Sequence, residues 1–449
     1  MTASRTSKQV GYLELLGTNR NFRRLFVGQL ISQTGDWFNS VALFTLLLNL
    51  TGSSEAVGLI LIIKLLPTFF AGPLAGVAAD RFNRKTIMIV ADVICGCIVL
   101  GFLVIDRPDQ VWLAYLLAAA EILSASFFEP AKSAAIPSIV SQDELISANA
   151  LSSASWSVTL AMGAALGGLV TSRFGRNTAF IIDSLSFFAS AAFIWTVQMR
   201  KRSSEASPVE RQKRTSLYEL LGVADIVEGA RYLRVNPQVA ALLLVKSGWG
   251  LGGGVLLLLT IFGKQIFPIG RDGSASIGLL FAARGLGALL GPLIAGRIAK
   301  GSTSRMRRAI AAAFVVSSVF YLLFAQSPVF IIALLCVVGA HSGGSVQWVY
   351  STTLLQISVE DKFLGRVFAL DMALVTLAMS VSTFSTGWGL DHLGLSPRMM
   401  AIVLGLAFLI PGAVWLFLQR WLDKSDATSN AQAPPLIEPV TETSFPPGR

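Results

Sequence analysis

The chain has 449 residues, 53% of them hydrophobic and 14% charged, and its mean hydropathy is +0.64. Soluble domains carry about a quarter charged residues, so a soluble enzyme, a disordered chain and a collagen-like fibre are all excluded. The net charge of +10 would suggest a nucleic-acid partner only if the basic residues lay away from apolar runs, and they do not.

A hydrocarbon core about 30 Å thick needs roughly 20 apolar helical residues. Twelve runs fit, at 25–50, 56–79, 86–105, 111–128, 148–172, 177–197, 237–262, 276–299, 308–325, 329–354, 368–390 and 398–418. Their number predicts an all-α membrane protein. The first run is too long for a cleavable signal. Connections that fall on one side of the membrane hold 27 Lys and Arg, and those on the other side hold six. The excess marks the cytosolic face and places both termini there, in a cell membrane.

The expected organisation is a cytosolic segment (1–24), a six-helix bundle (25–197), a cytosolic linker (198–236), a second six-helix bundle (237–422) and a disordered tail (423–449). Within the linker, Ser216 and Glu219 have capping-box spacing. Leu217, Leu220, Leu221, Ala224 and Val227 then share one face, which predicts an amphipathic helix on the membrane surface. The tail is rich in Pro, Thr, Ser and Ala, a composition that buries little.

The two halves repeat one another. Gly72-Pro73-Leu74 recurs as Gly291-Pro292-Leu293, Gly168 as Gly387, and Gly175 as Gly394, all at one offset of 219 residues. A parallel duplication around a central site is the plan of secondary transporters.

Ionisable residues inside a membrane cost on the order of 3 kcal/mol each and mark cavities or pathways. The first run carries Gln29, Gln33, Asp36 and Ser40 at spacings of four, three and four, a polar stripe along one helical face. Asp36 lies about 16 Å into that run at the helical rise. Glu121 is at similar depth in the fourth run, and Lys246, Arg284 and His341 in runs seven, eight and ten. Asp36 and Glu121 are candidate proton-coupling acids. Asp92 and Asp371, nearer the cytosolic edge, read as helix-end residues. Trp37, Trp249 and Trp348 lie well inside their runs, where they suit either a cavity wall or ordinary packing. The candidate cavity set is therefore Gln29, Gln33, Trp37, Ser40, Lys246, Trp249, Arg284, His341 and Trp348. Gly163, Gly167 and Gly168 form a small-residue face that allows close helix approach.

Other chemistries lack their residues. There is no P-loop, no Gly-x-Ser-x-Gly, no His-Glu-x-x-His and no Cys-x-x-Cys. Cys95, Cys97 and Cys336 have neither disulfide nor zinc spacing. Neither enzyme activity, nor a cofactor, nor a metal site is expected.

Between the second and third runs the chain reads Gly76-Val-Ala-Ala-Asp80-Arg81-Phe-Asn83-Arg84-Lys85. This resembles the Gly-x-x-x-Asp-Arg-x-Gly-Arg-Arg/Lys signature of the major facilitator superfamily. Asn83 stands at the glycine position, where Asn can also take the left-handed conformation. Asn21-Phe22-Arg23-Arg24-Leu25, Pro137-Ser-Ile-Val140 and Gly365-Arg366-Val367-Phe368 resemble the enterobactin-exporter and macrolide-efflux branch. The resemblance covers nearly all of 20–420. It implies twelve helices in two pseudo-symmetric bundles, a gate in which Asp80 braces the start of span 11 near Arg366, and an antiporter-like motif at Gly163, Gly167 and Gly168. Two departures stand out: Ala164 replaces the motif's proline, and Glu121 occupies span 4 where proton antiporters of the family have arginine.

The expected protein is a monomeric proton-coupled exporter of an amphipathic small molecule, such as a siderophore, macrolide or other drug-like compound, working by alternating access without nucleic acid. A lysophospholipid flippase of the same fold and a non-transporting membrane receptor or scaffold are the rival readings.

Overall fold

A computed structural model describes residues 10–199, 223–299 and 302–432. Ten stretches among them, some counted across kinks, are long and apolar enough to cross a membrane. The two remaining expected spans explain the difference from twelve. In α2 (Arg20–Thr51) the polar stripe dilutes the hydropathy, and the second span is broken at Lys64–Leu65 into α3 (Ser54–Ile63) and α4 (Leu66–Arg81).

The other elements follow in order. A short α1 (Tyr12–Thr18) precedes α2, and α4 leads into α5 (Arg84–Leu100). The fourth span is split into α6 (Val111–Ala125) and α7 (Phe128–Ile139), and α8 (Leu145–Phe174) and α9 (Arg176–Trp195) complete the first half. The linker contributes α10 (Val223–Val235). The second half holds α11 (Pro237–Gly250), α12 (Val255–Ile261), α13 (Ser274–Ala299), α14 (Thr303–Ala325), α15 (Phe330–Ser358), α16 (Asp361–Asp391), α17 (Pro397–Ala407) and α18 (Leu409–Gln432).

Local chemistry sets the boundaries. The Asn19 side chain accepts from Phe22 N at 3.0 Å and caps α2, which Gly52 ends in the left-handed region at φ 65°. Asn83 departs from expectation. Its φ of −66° is not left-handed, and its side chain instead accepts from Lys85 N and Thr86 N as the N-cap of α5. Polar capping thus replaces the flexibility of glycine there. Between α11 and α12 the run Gly250-Leu-Gly-Gly-Gly254 breaks the seventh span. The freed backbone groups are satisfied by Ser382 of α16, which donates to Leu251 O and accepts from Gly254 N at 3.1 Å. Broken helices survive in membranes where a neighbour supplies such partners.

The linker and tail differ from expectation where they are described. Residues 200–222 and 433–449 lie outside the described residues, and with them Ser216, Leu217, Glu219, Leu220 and Leu221. α10 packs on the start of α16, with Tyr232 and Phe363 rings 4.5 Å apart, and Gly229 lies against the Arg366 carbonyl. α18 runs on to Gln432, into the segment expected to be unstructured.

α8 packs along α13, and α3 along α16, so these pairs join the halves. A Cβ on Gly278 would lie 2.3 Å from the Ala164 carbonyl oxygen, and one on Gly168 would lie 2.9 Å from the Gly278 Cα. The backbones touch. Gly387, the repeat counterpart of Gly168, meets Glu55 of α3 in the same manner. Gly175 and Gly394 form a second matched pair, both with positive φ (86° and 65°) in the turn that follows a long helix. The duplicated glycines therefore hold duplicated structural positions.

Candidate functional site

The end of the bundle where α2 begins carries the excess of Lys and Arg and is called here the basic end. Midway along the first half, α2, α6 and α9 bring three acids together. Oxygens of Asp36, Glu121 and Asp183 all lie within 4.8 Å of one another. Asn39, one turn beyond Asp36, donates from Nδ2 to both Glu121 oxygens at 3.0 Å. Ser186 Oγ donates to Asp183 Oδ1 at 3.4 Å. The approach of α9 depends on Gly35, because a Cβ there would fall 2.5 Å from Asp183 Oδ1. Lys64, at the break in the second span, donates to Ser40 Oγ at 2.9 Å, and Ser40 donates to the Asp36 carbonyl at 2.8 Å. Three carboxylates at this spacing would repel by about 3 kcal/mol per pair even at an effective dielectric of about 20. With Lys64 as the neighbouring cation, a fully ionised cluster carries excess negative charge that only a proton or another cation can relieve.

Asp36 and Glu121, separated by 85 positions in sequence, are thus neighbours. Asp183 and Asn39 were not among the expected site residues. Asp183 is an acid in an apolar run, the criterion that flagged Asp36, and Asn39 follows Asp36 by three positions on the same helix.

The rest of the polar stripe does other work. Gln29 Nε2 donates to Ser155 Oγ at 3.0 Å, and Gln33 Oε1 accepts from Ser155 Oγ at 3.1 Å and Thr159 Oγ1 at 3.5 Å. These residues join α2 to α8 and do not line the main cavity described next. Trp37 also stays off that wall, packed against Phe281 at 5.8 Å and beneath Gly163. Gly163 and Gly167 meet α2, and Gly168 meets α13.

The main cavity, about 470 Å³, lies between the halves on the basic side of the Gly168–Gly278 contact. Its wall comprises Ser153, Trp156 and Ser157 of α8, Trp249 of α11, Arg284 of α13, and His341, Ser345 and Trp348 of α15, with smaller residues between them. Trp249 and Trp348 meet edge to face at 5.3 Å. The Arg284 guanidinium sits 5.4 Å from the Trp156 ring. His341 Nε2 and the Tyr321 hydroxyl are 3.0 Å apart. Trp156 was not among the expected residues, although it too is a tryptophan inside an apolar run.

Lys246 stands behind this wall. It forms an ion pair with Asp371 in which both side chains are almost wholly buried, and its Nζ lies 5.0 Å from the Trp348 ring. Lys246 is therefore neutralised by α16 and does not face the cavity, and Asp371 is its partner, not a helix-end residue.

At the basic end, Arg84 Nη1 donates to Ala134 O at 2.6 Å and Lys85 Nζ to Val197 O at 2.9 Å, tying the α4–α5 turn to α7 and to the end of α9. Arg81 is exposed and Gly76 has open space beside it. The Asp80 side chain lies outside the described residues. Arg366 pairs with Glu228 of α10 at 2.6 Å.

At the opposite end, Asp391 of α16 caps α3 across the two halves. Its carboxylate accepts from Ser53 Oγ at 2.7 Å, Ser54 N at 3.1 Å and Glu55 N at 2.9 Å. The Arg271 backbone N donates to Ser172 Oγ at 3.1 Å, closing the α8 side of the same end.

Residues 17–447 match the family described as transmembrane secretion effector. Among curated proteins, the chain is 26% identical over 417 residues to the uncharacterised MFS-type transporter YfiS of Bacillus subtilis, covering 90% of this chain and 93% of that one. It is 25% identical over 389 residues to macrolide efflux protein A of Streptococcus pyogenes, covering 84% and 90%. It is 26% identical over 414 residues to the enterobactin exporter EntS of Escherichia coli O1:K1, covering 90% and 93%. Among solved structures, a POT peptide transporter in complex with alafosfalin aligns with a TM-score of 0.70 at 12% identity, covering 93% and 96%. A bacterial homologue of the human lysosomal transporter Spinster, inward-facing and unoccupied, aligns with a TM-score of 0.68 at 13% identity, covering 89% and 97%.

Proposed function

The chain belongs to the transmembrane secretion effector family of major facilitator transporters, and on that premise we propose that it exports an amphipathic small molecule in exchange for protons. One observation carries the reading: a cavity walled by both halves lies on one side of a tight contact between them. Rocking the halves about α8–α13 and α3–α16 would expose that cavity to each face in turn, which is alternating access. The Lys and Arg excess assigns the basic end and both termini to the cytosol, so this conformation faces inward.

The acid cluster supplies the coupling. Asp36, Glu121 and Asp183 share a site too crowded for three negative charges, so taking up and releasing a proton is its natural exchange. One proton crossing at 100 mV contributes about 2.3 kcal/mol, enough for roughly a 50-fold gradient of a neutral solute. The macrolide and enterobactin exporters among the relatives favour bulky, partly apolar cargo, which suits a wall of three tryptophans.

The test is substrate flux in inverted membrane vesicles with and without an imposed pH gradient. Asp36→Asn and Glu121→Gln are expected to abolish the response to the gradient while preserving exchange down a substrate gradient. Coupling unchanged in both variants removes the cluster from the mechanism.

A further inference from the structure

The charge of the cavity says more about the cargo than its size does. Arg284 is only 8% exposed, its Nε is buried without a hydrogen-bond partner, and among the described residues no carboxylate pairs with it. It contacts the Trp156 ring, which takes up part of a cation's charge but offers no oxygen, and its other neighbours Tyr321 and His341 bring no carboxylate. Among the described residues no Asp or Glu lines the cavity. Asp36, Glu121 and Asp183 are gathered in their own cluster, and Asp371 is taken by Lys246.

A buried cation without a counter-ion is costly, because nothing replaces the water it has lost. A cation held in a ligand-sized cavity has that cost relieved when the ligand brings the opposite charge. We infer that the exported substrate is an anionic aromatic amphiphile, whose oxyanion meets Arg284 while its rings lie among Trp156, Trp249 and Trp348. Arg284 offers a planar fork that matches a carboxylate or similar oxyanion with two parallel donors. Trp156, Trp249 and Trp348 give the cavity an aromatic wall against which a flat ring can pack. A cationic ligand would meet Arg284 with no acid nearby to offset the repulsion.

The inference rests on the export reading, and the experiment separates the two. Binding of naphthoate, naphthamide and naphthylmethylammonium, equal in ring and different in charge, is measured by calorimetry on the full-length protein in lipid nanodiscs. Naphthoate is expected to bind about tenfold more tightly than either of the others, as a charge-assisted hydrogen bond predicts. Arg284→Gln should erase that preference and Arg284→Lys should retain part of it. Equal or tighter binding of the amide or the ammonium, or a preference that survives Arg284→Gln, overturns the anion assignment and leaves export standing. The wild-type series decides the matter alone if Arg284→Gln does not fold. Should none of the three bind, both the anion assignment and the cavity's role in export fall.

Discussion

Lys246 and Asp371 show how a charged residue inside a membrane protein can be read two ways. In sequence they are 125 positions apart, and nothing in either run announces the other. In the structure they form a pair with 1% and 0% side-chain exposure. Lys246→Met should destabilise the protein by about 3 to 5 kcal/mol because Asp371 is left buried alone. Lys246→Met with Asp371→Leu should restore most of that loss, since replacing both members of a buried pair by apolar residues is often neutral or better. Thermal unfolding in detergent checks both variants, and equal losses in the single and the double would contradict the pairing. The acid cluster was partly legible for the converse reason. Asp36 and Glu121 stand out as charges in apolar runs, whereas Asp183, in the run 177–197, was not singled out. Gln29 and Gln33 share the Asp36 face, yet their partners on α8 could not be read from α2 alone.

At the scale of elements, the breaks were the least visible feature. Lys64–Leu65 has no glycine and its nearest proline, Pro67, begins α4, so the sequence reads as one continuous span. The break places Lys64 beside Ser40, within electrostatic reach of the acids. The glycines of 250–254 break the seventh span, and that break depends on Ser382 from another helix. α3 has an equally remote partner in Asp391. Capping interactions contribute about 1 to 2 kcal/mol, so Asp391→Ala should weaken the closed end and shift the balance of conformations about tenfold toward opening there. Spin-label distances across that end, measured on the variant and the parent chain, would show the longer population rise. An unchanged distribution would mean that the α3 cap does not hold the gate.

On the scale of the whole molecule, the many-helix membrane fold, the duplication and the family were legible because bilayer thickness and repeat offset act on long stretches of sequence. The contact between halves was legible only in part. Gly168 was flagged for closeness to some helix, while Gly278, its counterpart on α13, was not. Gly278→Leu should drive α8 from α13, since even a Cβ there would lie 2.3 Å from the Ala164 carbonyl oxygen. The expected outcome is a protein that still binds ligand from one face but loses net flux by an order of magnitude or more, measured by counterflow in proteoliposomes. Parental flux would show that the contact is not conserved through the cycle.

The Lys246–Asp371 pair also bears on how fast such a cycle can run. Both members belong to one half, as do the acids around Lys64, so the opposite charges buried deepest travel together when the halves swing. What parts instead is a strip of glycine backbone whose hydrogen bonds are already made within its own helices, the Asp391 cap, the Arg271–Ser172 hydrogen bond and the Arg284–Trp156 contact. Among the described residues, separation there breaks no buried ion pair, so on the proposed mechanism the barrier between the two orientations is left to be set by the cargo and by the proton.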